Sequence, residues 1–157
     1  MADYENTWRC IVPGQPRGWR QNHTARGKVV QSYLVDNAKA WQKMAVALMR
    51  QQWTGEPLTC GVRVYVEGVF PRPNYFDCDH KRKPCSCPPE MLNGEPRDHL
   101  TTPDLTNVFK LAEDALVRAR VLGDDKTVCS TGADARYAAA GCDPYVMVTM
   151  QWTEPNN

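Results

Sequence analysis

The sequence predicts a single α+β domain: two main helices against one mixed β-sheet, with a long Pro- and Cys-rich insertion. Three observations predict it. Two segments carry apolar residues at spacings of three and four, the period of a helix with one buried face. Four short segments alternate apolar with polar residues or are rich in β-branched ones, as strands are. The chain has 157 residues and is 42% hydrophobic, enough for one real core and too short for two comfortable ones.

The elements follow in order. Residues 8–13 (WRCIVP) read as a strand, and PGQPRGWRQNHTARGK after them as a loop, because Pro, Gly, Arg and polar residues dominate. Asp36 is the expected N-cap of a helix over 37–53, whose face is Ala40, Trp41, Met44, Ala45, Ala47 and Leu48. Residues 58–70 (LTCGVRVYVEGVF) alternate best and form the next strand. The insertion, 71–103, has no period and seven prolines; a loop of that length is usually functional, metal-stapled or disordered. A second helix spans 104–120, with Leu105, Val108, Ala112, Ala115, Leu116 and Ala119 on one side. Asn107, Lys110 and Asp114 cluster on the other side, and Gly123 stops the helix. Strands at 126–131 and 145–152 (YVMVTMQW) flank a loop and close the order β-α-β-loop-α-β-β.

Composition narrows the setting. No apolar run approaches the roughly eighteen residues of a membrane span. The start, MADYENTWRC, is acidic and polar and not a secretory signal, so a soluble cytoplasmic protein is expected. Seven cysteines form no even disulfide framework; Cys10, Cys60, Cys129 and Cys142 lie in apolar segments and read as buried thiols. Net charge is only +1, but it is unevenly spread. Residues 9–50 hold eight Lys/Arg against Asp36 alone, and residues 104–143 hold seven acids against five bases. That split suits an anionic ligand around carboxylate-bound metal, and equally an ordinary uneven surface.

Three acids draw notice. Asp104 opens the second helix, where a carboxylate caps free N–H groups and meets the helix dipole. Asp124 and Asp125 follow Gly123, and Gly-Asp-Asp is common turn chemistry. A helix of about seventeen residues is roughly 25 Å long, so Asp104 and Asp125 are not neighbours along it. They meet only if the next strand runs back alongside, or if a second subunit supplies one of them.

Taken together, PDLTNVFKLAEDAL and LGDDKTV resemble the signature of RusA-type Holliday junction resolvases: PDxDN, a lysine three residues on, DAL, a spacer, and DD before a strand. The matching residues are Pro103, Asp104, Asn107, Lys110, Asp114, Ala115, Leu116, Asp124 and Asp125. The early strand with its Pro- and Arg-containing loop, the strand ending in FPRP and the closing strand agree in kind, so residues 1–157 read as one RusA-like endonuclease domain. The resemblance implies a small homodimer that nicks four-way (Holliday) or other branched DNA in recombination and repair. It implies Mg²⁺, with Mn²⁺ as a substitute, in a bacterial or phage-infected cell. Asp104 and Asp125 would be metal ligands, Asp124 a supporting one, and Lys110 a phosphate-facing cation. Asn107 and Asp114 would be supporting polar groups. Hard oxygen ligands suit Mg²⁺, which keeps several waters, activates one of them and steadies charge on the scissile phosphate.

One position departs from the signature. Thr106 stands where a second acid is expected, and a neutral hydroxyl weakens a two-metal site. The competing reading is therefore a junction- or DNA-binding protein with weak or lost catalysis. A further set, Cys78, His80, Cys85 and Cys87, could hold structural Zn²⁺, although its pairs are tighter than the usual spacing; the alternative is an exposed, reduced insertion. A zinc-stapled binding module unrelated to nucleases is the third reading. Lys81, Arg82 and Lys83 inside the insertion, and Arg17 and Arg20 around Trp19, are candidate phosphate contacts or plain solvated loops.

Overall fold

The computed structural model describes residues 4–18, 21–26, 29–73, 97–98 and 104–154. Its elements are β1 (Asn6–Pro13), β2 (Gln21–Arg26), β3 (Val29–Leu34), α1 (Asp36–Gln52), β4 (Val62–Phe70), β5 (Arg97–Asp98), α2 (Leu105–Arg118), β6 (Val128–Tyr137) and β7 (Tyr145–Trp152). A 3₁₀ turn at Asp125–Thr127 leads into β6. The main sheet has the order β1-β7-β4-β6-β5, and β2 with β3 forms a separate hairpin. β4 and β6 are parallel while the other neighbours are antiparallel, so the sheet is mixed and the α+β expectation holds. A parallel pair needs a crossover connection, and α2 lies within it.

One face of the sheet is the core face. Alternation in β7 sends Val146, Val148, Met150 and Trp152 inward, and in β4 Val62, Val64, Val66 and Phe70. α1 covers it with Ala38, Trp41, Ala45 and Met49, and α2 with Val108, Leu111, Ala112, Ala115 and Leu116. Burying one such Val, Leu or Phe side chain stabilises by about 1.5–3 kcal/mol. Trp53 meets Trp8 and Trp152 edge-on, with ring centroids 5.8 and 5.7 Å apart, next to this core.

The opposite face is the more open one: Ile11 on it is 53% exposed, although Val69 near the end of β4 is buried. Polar side chains there pair across strands. The Tyr65 hydroxyl donates to Asp134. Arg136 Nε donates to Glu67 Oε1 at 2.9 Å, and the Tyr145 hydroxyl reaches the same oxygen at 3.3 Å. Gly132 makes room for this arrangement, because a Cβ there would lie 2.8 Å from the Tyr65 ring.

Several expectations change. The loop expected after β1 contains the β2–β3 hairpin, whose strand QNHTAR has no apolar alternation to reveal it. β6 runs on to Tyr137, because Asp134 and Arg136 find partners on the open face. β4 starts at Val62, and Leu58 makes only an isolated bridge to Leu122. Arg97–Asp98, inside the expected insertion, pairs with the end of β6.

The N-cap of α1 is Val35, with Asp36 already in the first turn and no side-chain cap bond. The buried stripe of α1 is also rotated from the expected one: Ala38, Trp41, Gln42, Ala45 and Met49 are inside, and Met44 is 39% exposed. α2 ends before Gly123. Arg120 takes the left-handed conformation at φ 60°, and Val121 N–H then bonds back to Leu116 O at 3.0 Å. Gly123 serves close approach instead, donating its N–H to Leu58 O at 2.9 Å where a Cβ would crowd that oxygen. Cys10 is buried, and its burial pushes the thiol pKa up to about 11. Cys60 is half-buried, while Cys129 and Cys142 are exposed, since they fall where β6 begins and in the turn before β7.

Candidate functional site

α2 and the turn after it carry the candidate residues. Asp104 is the N-cap of α2, and its Oδ1 accepts the Asn107 backbone N–H at 2.9 Å. The same carboxylate that the resemblance marks as a ligand therefore also starts the helix. Asn107 is half-buried one turn in, and its part in the cap is played by its backbone. Thr106 is exposed and lines a shallow depression with Leu105, Phe109 and Thr131–Ala133 of β6. No carboxylate lines that depression among the described residues.

Lys110 stands about 9 Å along the helix axis from Asp104, six residues at 1.5 Å each. Its Nζ donates to Glu113 Oε2 at 3.0 Å and lies 3.1 Å from Asp114 Oδ1. Burial alone would lower the Lys110 pKa, but these bonds and charges outweigh it and leave it raised. The ammonium is thus held charged and aimed toward the C-terminal half of α2.

The acidic turn lies at that end. Asp124 Oδ1 accepts the Lys126 N–H at 2.9 Å, and Asp124 O accepts the Thr127 hydroxyl at 2.7 Å. This local bonding fixes the short 3₁₀ turn that begins at Asp125. The Lys126 N–H, and after it a hydrogen bond with the Asp125 side chain, hold the Asp124 carboxyl below its usual pKa. Asp114, Val117, Arg118, Gly123, Asp124 and Asp125 line one depression of about 340 Å³. Lys110, Asp114 and the Asp124–Asp125 turn therefore form a continuous polar line along α2.

The chain does turn after α2, and β6 does run back along it. What β6 returns to the N-terminal end is Thr131–Ala133, while Asp125, at its start, stays beside Asp114. Fourteen residues of helix, about 21 Å, separate the Asp104 end from the Asp125 end. Among the described residues, no three Asp, Glu, His or Cys side chains gather as an ion site.

The basic candidates divide. Arg17 follows the buried Pro16, which sits with Val108 of α2 over Gly68 of β4. Arg20, Lys81, Arg82 and Lys83 lie outside the described residues, as do Cys78, His80, Cys85 and Cys87. Two pairings escaped the sequence reading. Glu113 is the first partner of Lys110, legible only as an i,i+3 spacing. Arg118 stands beside the acidic turn, and nothing in the sequence ties it to Asp124 or Asp125.

The sequence model of the family described as endodeoxyribonuclease RusA matches residues 13–151. No curated protein matches the chain.

Proposed function

Because the chain belongs to the RusA endodeoxyribonuclease family, we propose that it nicks four-way junctions and other branched DNA by metal-assisted hydrolysis of a phosphodiester. One observation carries the reading. Within a match over most of the chain, Lys110 is bonded to Asp114, and Asp114 adjoins the Asp124–Asp125 turn. The donors suit a hard dication: they are carboxylate oxygens, and Asp124 resists protonation. Asp104 and Asp125 would hold Mg²⁺ or Mn²⁺, with Asp124 in support. Bound there, the ion supplies Lewis acidity for the phosphoryl oxygens and a water acidic enough to attack. Lys110, kept charged by Glu113 and Asp114, offsets the charge that builds on the phosphate. Asn107 and Asp114 hold the cap and the lysine in place.

Asp104 and Asp125 stand at opposite ends of α2, so the reading includes a two-fold homodimer. Each site then takes Asp104 from one protomer and Asp125 from the other, and two sites face the two strands to be cut. No helix among the described residues is long and apolar enough to cross a membrane, and the work proposed belongs in the cytoplasm.

The test is a synthetic four-way junction incubated with Mg²⁺ or with EDTA. Wild type should give paired nicks in Mg²⁺ alone, and Asp104→Asn and Asp125→Asn should each abolish them. Mixing the two variants should restore nicking of one strand, because a mixed dimer with shared sites keeps one intact site. Nicking by either variant alone refutes the ligand assignment, and no recovery on mixing refutes the shared site. The second reading, binding without cutting, is favoured by Thr106 and its carboxylate-free depression. Tight binding without nicks in wild type, with nicking gained by Thr106→Asp, would establish it.

A further inference from the structure

We propose that the groove between α1 and α2 seats the sugar-phosphate backbone of DNA, and leads one strand to the acidic turn. The inference rests on the nuclease reading and assigns that enzyme a second contact surface. Lys39, Lys43, Val46 and Arg50 follow one another at spacings of four, three and four, so they make one stripe along α1. With Arg118 of α2 they line a groove of about 610 Å³. α1 turns Ala38, Trp41, Ala45 and Met49 inward and leaves this basic stripe at its surface.

Two further observations point to an anion. Among the described residues, no carboxylate pairs with Lys39, Lys43, Arg50 or Arg118. Arg50 is instead anchored by donating to Arg118 O at 2.8 Å, which joins the two helices at the groove. Gln42 lies against the same groove, is 2% exposed, and its Nε2 has no hydrogen-bond partner among the described residues. That nitrogen is buried beneath the groove, so phosphate contact falls to Lys39, Lys43, Arg50 and Arg118. Val46 and the lysine stems give the groove an apolar lining, with the charged heads free to reach outward.

Direction comes from Arg118, which lines this groove and also the depression of Asp114, Asp124 and Asp125. The stripe from Lys39 to Arg50 spans about 16 Å at 1.5 Å per residue. At about 3.4 Å of axis per phosphate, that matches roughly four to five phosphates of one strand. Cations with no carboxylate partner among the described residues thus lie along the approach, and carboxylates lie where it ends.

The test is junction binding by the full chain in EDTA, followed by fluorescence anisotropy across a salt series. Each neutralised phosphate adds about 0.9 to the slope of log affinity against log salt. Lys39→Gln with Lys43→Gln should therefore lower that slope by about 1.8. From about 50 to 200 mM salt, wild type should then lose about tenfold more affinity than the variant. Lys39→Arg with Lys43→Arg should bind as wild type does. As a check that needs no variant, bound junction should shield Lys39 and Lys43 of wild type from acetylation. An unchanged slope, or two lysines modified equally with and without junction, overturns the proposal. Wild type that binds no DNA overturns this proposal and the nuclease reading together. A reduced slope in a chain that never nicks sinks the nuclease reading and leaves the groove.

Discussion

Replacing Asp104 by Asn and by Ala separates a cap from a ligand. The Asp104 carboxylate accepts the Asn107 N–H at 2.9 Å and starts α2. An Asn side chain has an oxygen in the same place and caps nearly as well, so it removes only the charge at the helix N-terminus, about 0.3–1 kcal/mol. Ala removes the acceptor as well, about 1 kcal/mol more. For a chain of this length, each kcal/mol lowers Tm by about 2–4 °C. Thermal unfolding by circular dichroism should therefore find Asp104→Asn close to wild type and Asp104→Ala several degrees lower. The junction assay should find both inactive. If Asp104→Asn nicks as wild type does, Asp104 is a cap and nothing more. If Asp104→Ala melts with wild type, the cap bond contributes little and the reasoning about α2 is wrong.

Two further outcomes are expected. Tyr65 donates to Asp134, and this bond, ahead of burial and the nearby carboxylates, pushes its pKa up to about 12. A phenol raised in the folded state contributes stability below its ordinary value near 10.0, and that contribution is lost as pH climbs towards 12. Ultraviolet titration should show one late-ionising tyrosine that is missing in Tyr65→Phe, and stability of that variant should fall less steeply over this range; simultaneous ionisation of all tyrosines would count against the Asp134 bond. Gln42→Leu replaces an unpartnered buried donor with an apolar group of similar size and should stabilise by about 1 kcal/mol. A lower Tm in that variant would mean that Gln42 has a bond after all.

The parts of the fold that were legible are those where burial sets the pattern. The inward face of α2 and the alternation of β7 both follow from packing against one apolar layer. The illegible parts depend on partners far away in sequence. GADARY resembles a loop until the pairing of β4 with β6 brings Tyr65 and Glu67 to Asp134 and Arg136, each pair 69 residues apart in sequence. QNHTAR is a strand only because VVQSYL lies opposite. Rotation of α1 was invisible because Ala40, Met44 and Ala47 are as apolar as the residues that are buried. At the site, the residue types were readable from their spacing, while their grouping was not. Spacing could not say that Asp125 would stay with Asp114 at one end of α2 while Asp104 stayed at the other.

The strand order carries a consequence for synthesis. β7, last of the described strands in chain order, lies between β1, the first of them, and β4. Until Trp152 has left the ribosome, β1 has no neighbour in the main sheet among the described strands, and β4 lacks its partner on one edge. Nascent chains must therefore hold two unpaired edges in check while the middle of the protein is still being made. The sheet closes by insertion of its final piece, so any early stop before Tyr145 leaves β1 and β4 open to other chains.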